Sequence, residues 1–263
     1  MQRIHEYGGF KVDKNEIAKL LFVIHSNSNL KNQQLQNETG FGKNKIENLK
    51  YYLKHFSLLD KNYNPTDLSR IIFFYDKYFE DELTLWILFF HWTKKDSNPF
   101  LYFLINESII NRTKEELTND FRAWSYKSGI KTDYDRKDFV DGLVARTLNS
   151  FLDIDAFKNL NIYKCKSEKY SRENPYKINP LVVAYVLYST REGRTTISFE
   201  ELLSEHNNIG KIFNLDRETL QQQIYGLRDL SLVQYVQAAN LHDLVYTYQG
   251  TTLQLLEKYY EQC

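Results

Sequence analysis

The run from Leu83 to Trp92 constrains this chain more than any other feature. Leu83, Leu85, Trp86, Ile87, Leu88, Phe89, Phe90 and Trp92 leave no polar face at helical spacing, and a helix that is apolar all round has to be covered on every side. Glu80-Asp81-Glu82 stands just before it and places negative charge where a helix N-terminus favours it. A buried helix ending near Trp92 is therefore predicted. Neither this run nor Leu181 to Tyr188 reaches the ~20 apolar residues of a membrane span. Met1 to Phe10 is polar, contains Glu6 and is unlike a secretory signal. The expectation is a soluble, cytoplasmic protein with no membrane partner.

Around that helix the middle of the chain reads as a helical hub, residues 78–158, with further helices at Phe100 to Glu107, Lys114 to Lys127 (capped by Thr113) and Arg136 to Leu152. Before the hub, residues 1–77 read as a winged helix-turn-helix. Glu16 to His25 carries Ile17, Leu20, Leu21 and Ile24 at helical spacing, and a second helix spans about Leu30 to Glu38. Thr39-Gly40-Phe41-Gly42 interrupts the pattern. Lys43 to Phe56 resumes it with Ile46, Leu49, Leu53 and Phe56 on one face. Ser57-Leu58-Leu59, the polar turn Asp60 to Asn64 and Pro65-Thr66-Asp67-Leu68 then read as a small wing.

Residues 159–178, with Ser167, Ser171, Asn174 and Pro175, read as a connecting segment with little core. Residues 179–263 give a second winged-helix-like pattern. It comprises a helix from Pro180 to Ser189, a strand at Thr195 to Ile197, a Ser198-capped helix to Glu205 and an Asp216-capped helix to about Leu230. Strands at Leu232 to Gln237 and Leu244 to Tyr248 and a last helix from Thr252 to Tyr260 complete it. The fold class expected is mainly α with small β wings. A length of 263 residues suits two or three modules, and 42% hydrophobic with 15% aromatic residues argues against disorder.

The 34 basic and 34 acidic residues cancel, so a nucleic-acid surface has to be a local patch. The strongest such patch is the third helix, where Lys43, Lys45, Lys50 and Lys54 are opposed by Glu47 alone. In a helix-turn-helix this helix enters the major groove, where Asn44 or Asn48 can pair with adenine while lysines neutralise phosphates. A solvated lysine-rich face is the other reading. Arg217, Gln221, Gln222 and Arg228 form the C-terminal counterpart, diluted by Asp216, Glu218 and Asp229. Protein docking competes with DNA contact there.

Catalytic signals are weaker, and no catalytic residue is assigned. Glu80-Asp81-Glu82 is a carboxylate cluster of the kind that holds a divalent ion in nucleases, yet it starts a helix, where dipole stabilisation explains it equally. None of the six histidines has a metal-ligand spacing, and Cys165 and Cys263 form no paired motif. Gly40-Phe41-Gly42-Lys43 lacks the lead of a phosphate-binding loop. No cofactor is evident.

Gly42-Lys43-Asn44-Lys45, the Leu58-Leu59 to Leu68 segment, and Tyr78 to Leu88 with its Thr84-Leu85-Trp86 and following His91-Trp92 together resemble the bacterial family called domain of unknown function 4007. The likeness runs through Arg136 to Phe151 and Gly210 to Leu215, whereas Ile4 to Phe10 departs from the family's opening. The resemblance implies a place in DNA phosphorothioation gene clusters, as the B component of the Ssp variety. Members act on DNA beside a cysteine desulfurase and an ATP-using sulfur-transfer protein, with strand nicking attributed to them. A nickase would need magnesium or manganese. The expectation is a double-stranded-DNA-binding component of a modification or defence system, the alternatives being a protein-interaction adaptor or a winged-helix transcriptional regulator.

Overall fold

The computed structural model describes residues 10–27, 31–108, 111–130, 137–174, 178–238 and 241–262. Over these residues the chain is mainly helical with two three-stranded sheets, and it divides into two compact units, Met1–Glu173 and Asn174–Cys263.

In the first unit, α1 (Lys14–Ser26), α2 (Asn32–Thr39) and α3 (Lys43–His55) pack on one another. Asp13 caps α1 by accepting the Asn15 and Glu16 N–H groups, both at 3.1 Å. Gly40 ends α2 at φ 72°, a left-handed position open to glycine without steric cost. The chain is thereby turned into α3, whose Ile46, Leu49, Tyr52 and Leu53 are buried. The segment expected to be a wing is a single bridge, Leu59 to Pro65. Asp67 and Leu68 begin a fourth helix instead, α4 (Asp67–Tyr75), capped by Thr66, whose hydroxyl accepts the Ser69 N–H. Leu68 and Ile72, one turn apart, are its buried anchors.

Then come α5 (Glu82–Trp92), α6 (Pro99–Asn106), a two-residue β1 (Arg112–Thr113), α7 (Lys114–Lys127) and α8 (Lys137–Ser150). All residues of α5 from Leu83 to Trp92 are buried, as its all-round apolarity requires. Its C-terminal end meets α3 through rings: Trp92 lies 6.2 Å from Tyr52 and 6.0 Å from Phe56, and Phe157 lies 5.7 Å from Trp92. Past α8, the polar stretch that reads as a connector contains a hairpin, β2 (Tyr163–Lys166) and β3 (Lys169–Arg172). With β1 it forms an antiparallel sheet in the order β1-β3-β2. Its turn residues Ser167 and Glu168 both have positive φ, the backbone of a tight hairpin, without the glycine or asparagine that marks one in sequence.

His91 is a buried histidine of this core, 8% exposed, with its Nδ1 2.9 Å from Ser57 Oγ. Desolvation, with Lys94 adding to it, pushes its pKa well below the usual histidine value. The folded state therefore binds fewer protons than the unfolded one as pH falls below about 6.5. Stability is full above that value and declines by up to about 1.4 kcal/mol per pH unit until the folded-state pKa is reached. Chemical denaturation between pH 7 and 5 should show a shallower decline in His91→Gln than in the wild type.

The second unit runs α9 (Pro180–Ser189), β4 (Thr196–Ser198), α10 (Phe199–Ser204), α11 (Ile209–Ile212), α12 (Arg217–Asp229), β5 (Val233–Ala238), β6 (Leu241–Tyr246) and α13 (Thr252–Tyr260). The sheet order is β4-β6-β5, antiparallel throughout. Asn179 and Pro180 open α9, which is buried from Leu181 to Leu187. Ser198 and Asp216 cap α10 and α12 as the sequence indicates. In α12, Leu220, Ile224 and Leu227 face inward, leaving Arg217, Gln222 and Arg228 outside. Strand β6 begins at Leu241, three residues before the start the sequence suggests, because Gln237 and Val236 pair with His242 and Asp243.

Candidate nucleic-acid interface

Helix α3 separates its residues by face. Lys43, Asn44 and Lys54 are exposed, and Lys50 is half-buried. Its Nζ donates to Asn32 Oδ1 at 2.7 Å, and burial pushes its pKa down against the pull of Glu47. Lys45 sits differently: it pairs with Glu16 and lies 5.2 Å from the Phe41 ring centroid. That carboxylate has to be displaced before Lys45 can meet a phosphate. Asn48 turns inward, 6% exposed, with its Nδ2 donating to Asn44 O at 2.7 Å. The inward i, i+4 geometry that buries Leu49 and Tyr52 removes Asn48 from reach of a base, so of the two asparagines only Asn44 faces out.

Sequence reasoning missed the residues that flank this helix in space. The turn Asp60 to Asn64 is held by Asp60, whose Oδ1 accepts the N–H groups of Asn62 and Asn64, both at 2.8 Å. It carries Tyr63 at φ 65° and brings the ring to 5.8 Å from Lys50 Nζ and 5.9 Å from Lys54 Nζ. Arg70, on α4, belongs to the same neighbourhood. The signal that can be read in sequence is local: Asp60 two and four residues before Asn62 and Asn64, the pattern of a side-chain-capped turn.

On α12 the four candidate residues are mostly occupied by neighbours. Arg217 pairs with Glu200 and lies 5.4 Å from the Phe199 ring. Arg228 contacts Asp229 at 3.0 Å and lies 4.9 Å over Tyr225. Gln221 donates to the Tyr225 hydroxyl at 2.7 Å, and Gln222 is exposed. The cleft beside it is lined by Glu200, Glu218 and Asp243 as well as Arg217 and His242, so its charge is mixed.

Within Glu80-Asp81-Glu82, the Asp81 and Glu82 carboxylates are in structural use. Asp81 caps α5 through the Leu83 N–H at 2.7 Å, and Glu82 Oε1 accepts the Trp86 indole N–H at 3.1 Å. Among the described residues no three of His, Cys, Asp and Glu stand together as metal ligands. Cys165 is exposed on β2, and Cys263 and His5 lie outside the described residues. Among the described residues no helix is long and apolar enough to cross a membrane.

No curated protein matches the chain. Two solved structures do. One, described as "SspB crystal structure", aligns with a TM-score of 0.83 at 17% identity, covering 99% of this chain and 88% of the other. The second, "Magnesium ion-bound SspB crystal structure", gives 0.81 and 16% over the same shares. At such identities the likeness is one of fold. The sequence profile described as "Protein of unknown function (DUF4007)" matches residues 8–260, nearly the whole chain, and the protein therefore belongs to the DUF4007 family.

Proposed function

We propose that this protein is a DNA-binding component of a bacterial DNA phosphorothioation system, engaging the duplex through α3 of its first unit. The observation that carries the reading is the division of α3 into a buried apolar face and an outer face bearing Lys43, Asn44, Lys50 and Lys54. That is the disposition of a recognition helix, with lysines for phosphates and one amide for a base edge. The fold shared with SspB over 99% of the chain supports membership of the same kind of system. In the second unit the order α9-β4-α10-α11-α12-β5-β6 supports a winged helix, with α12 as its outward helix. The paired charges on α12 fit a supporting contact with DNA or a partner rather than the main one. Sulfur activation then falls to partner proteins, a cysteine desulfurase and an ATP-using sulfur-transfer protein.

The magnesium named for one SspB structure belongs to that protein. Of the carboxylates at 80–82, Asp81 caps α5 and Glu82 holds an indole, and no three of His, Cys, Asp and Glu stand together among the described residues, which does not fit an ion site.

A docking role has its own support. Phe74 is 79% exposed and stands against the open ring of Tyr75, 4.8 Å between centroids, and exposed aromatic rings of this kind are what partner proteins cover. Fluorescence anisotropy with a short duplex at fixed low salt separates the readings. The triple variant Lys43→Ala, Lys50→Ala, Lys54→Ala should bind at least ten-fold more weakly than the wild type. Arg217→Ala with Arg228→Ala should lose less. Equal affinity in all three proteins would remove α3 from the interface, and absence of binding in the wild type would favour docking.

A further inference from the structure

Beside α3 lies a groove of about 720 Å³, formed by the end of α1, Leu35 of α2, the middle of α3, the turn at 62–65 and α4. Its polar lining is unusually one-sided: His25, Asn27, Lys50, Asn62, Asn64 and Arg70, with no carboxylate among them. Tyr63 stands at its rim, 39% exposed. A bulky side chain in the left-handed region is costly and is kept only where its surroundings over-determine it. Here the Asp60 side chain fixes the turn that carries the ring. The result is an aromatic face presented at the groove edge with two ammonium groups within 6 Å of it.

Each of these features matches one part of a nucleotide. The ring offers stacking to any base; the amides of Asn27 and Asn62 offer donors and acceptors to a base edge; Lys50 and Arg70 offer positive charge to a phosphate. A groove of this volume is of ligand size, whereas a major-groove contact needs only a convex helix. Arg70 pairs with Asp67 on the solvent side, an exposed ion pair of the weak kind that a phosphate can replace.

We infer that this groove receives an unpaired nucleotide of the bound DNA, its base stacked on Tyr63 and its phosphate held by Lys50 and Arg70. The inference rests on the DNA-binding reading and adds that the protein favours DNA with an unpaired or extrudable base over an intact duplex. An unpaired base has no stacking energy to surrender on entering the groove, so the preference follows from the cost of opening a duplex.

The test compares three labelled probes, an intact duplex, the same duplex with a one-nucleotide bulge, and oligo-dT, against wild type, Tyr63→Gly and Tyr63→Phe. Glycine removes the ring while accepting the positive φ, and a thermal melt checks that the fold is retained. The bulged duplex and oligo-dT should each lose roughly ten-fold in affinity in Tyr63→Gly, as expected for one lost base stack. Phenylalanine should restore most of it, and the intact duplex should change little. Wild-type binding of intact and bulged duplex with equal affinity, or an equal loss on both in Tyr63→Gly, would overturn the groove assignment while leaving duplex binding standing. No binding of any probe would overturn both.

Discussion

Replacing Gly210 by alanine should destabilise the second unit by about 3 kcal/mol, the upper end of what overpacking mutations ordinarily cost. Gly210 lies in α11, and a Cβ there would come within 2.5 Å of Leu203 O and 2.6 Å of Leu202 O. Those atoms are backbone, at the end of α10, so no side chain can swing away. Relief requires α10 and α11 to separate, and the buried residues Leu202, Ile209 and Ile212 would lose contact with the core. The melting temperature of Gly210→Ala, read by circular dichroism, should fall by several degrees or more. Retention of the wild-type value would show that α10 and α11 do not pack as closely as described.

The second large effect is expected at Trp92. Its ring is 1% exposed and touches Tyr52 and Phe56 at the end of α3 and Phe157 beyond α8. Trp92→Ala should cost about 3–5 kcal/mol through lost burial and the cavity left behind. It should also weaken DNA binding without removing a single charge, because Tyr52 and Phe56 hold the C-terminal half of α3, where Lys50 and Lys54 sit. Trp92→Phe retains much of the volume and should recover most of both properties. Unfolding in urea gives the stability change, and anisotropy on the folded fraction gives the affinity. Full affinity in a destabilised Trp92→Ala would uncouple α3 placement from this aromatic cluster.

Much of the fold is legible in the sequence because the patterns involved are local. Helix α5 announces itself by apolarity on all faces, α7 by the Thr113 cap, and α12 by Asp216 followed by Leu220, Ile224 and Leu227 at helical spacing. What is not legible depends on partners distant in the chain. The β2–β3 hairpin sits in a polar stretch with Ser167-Glu168 at its turn, and its third strand, β1, comes from residues 112–113. Strand alternation in so short and exposed a hairpin is too weak to stand out. Helix α4 carried signals, Thr66 as cap with Leu68 and Ile72 one turn apart, but Pro65 and the preceding turn favour reading the segment as a wing.

The candidate interface divides in the same way. The lysine periodicity of α3 is local, and Lys43, Lys50 and Lys54 indeed point outward or to the groove. Lys45 and Asn48 differ because their environment is tertiary: Glu16 on α1 claims the first, and helix packing turns the second inward. The groove lined by His25, Lys50, Asn62 and Arg70 draws on four separate elements, so no motif in the chain foreshadows it.

The phosphate-neutralising role of α3 is tested most directly by the slope of log affinity against log salt for duplex DNA. Each phosphate contact contributes about 0.9 to that slope. The triple variant lacking Lys43, Lys50 and Lys54 should therefore show a slope shallower by roughly two to three than the wild type. A wild-type slope near zero, or an unchanged slope in the variant, would contradict the assignment of α3 to DNA.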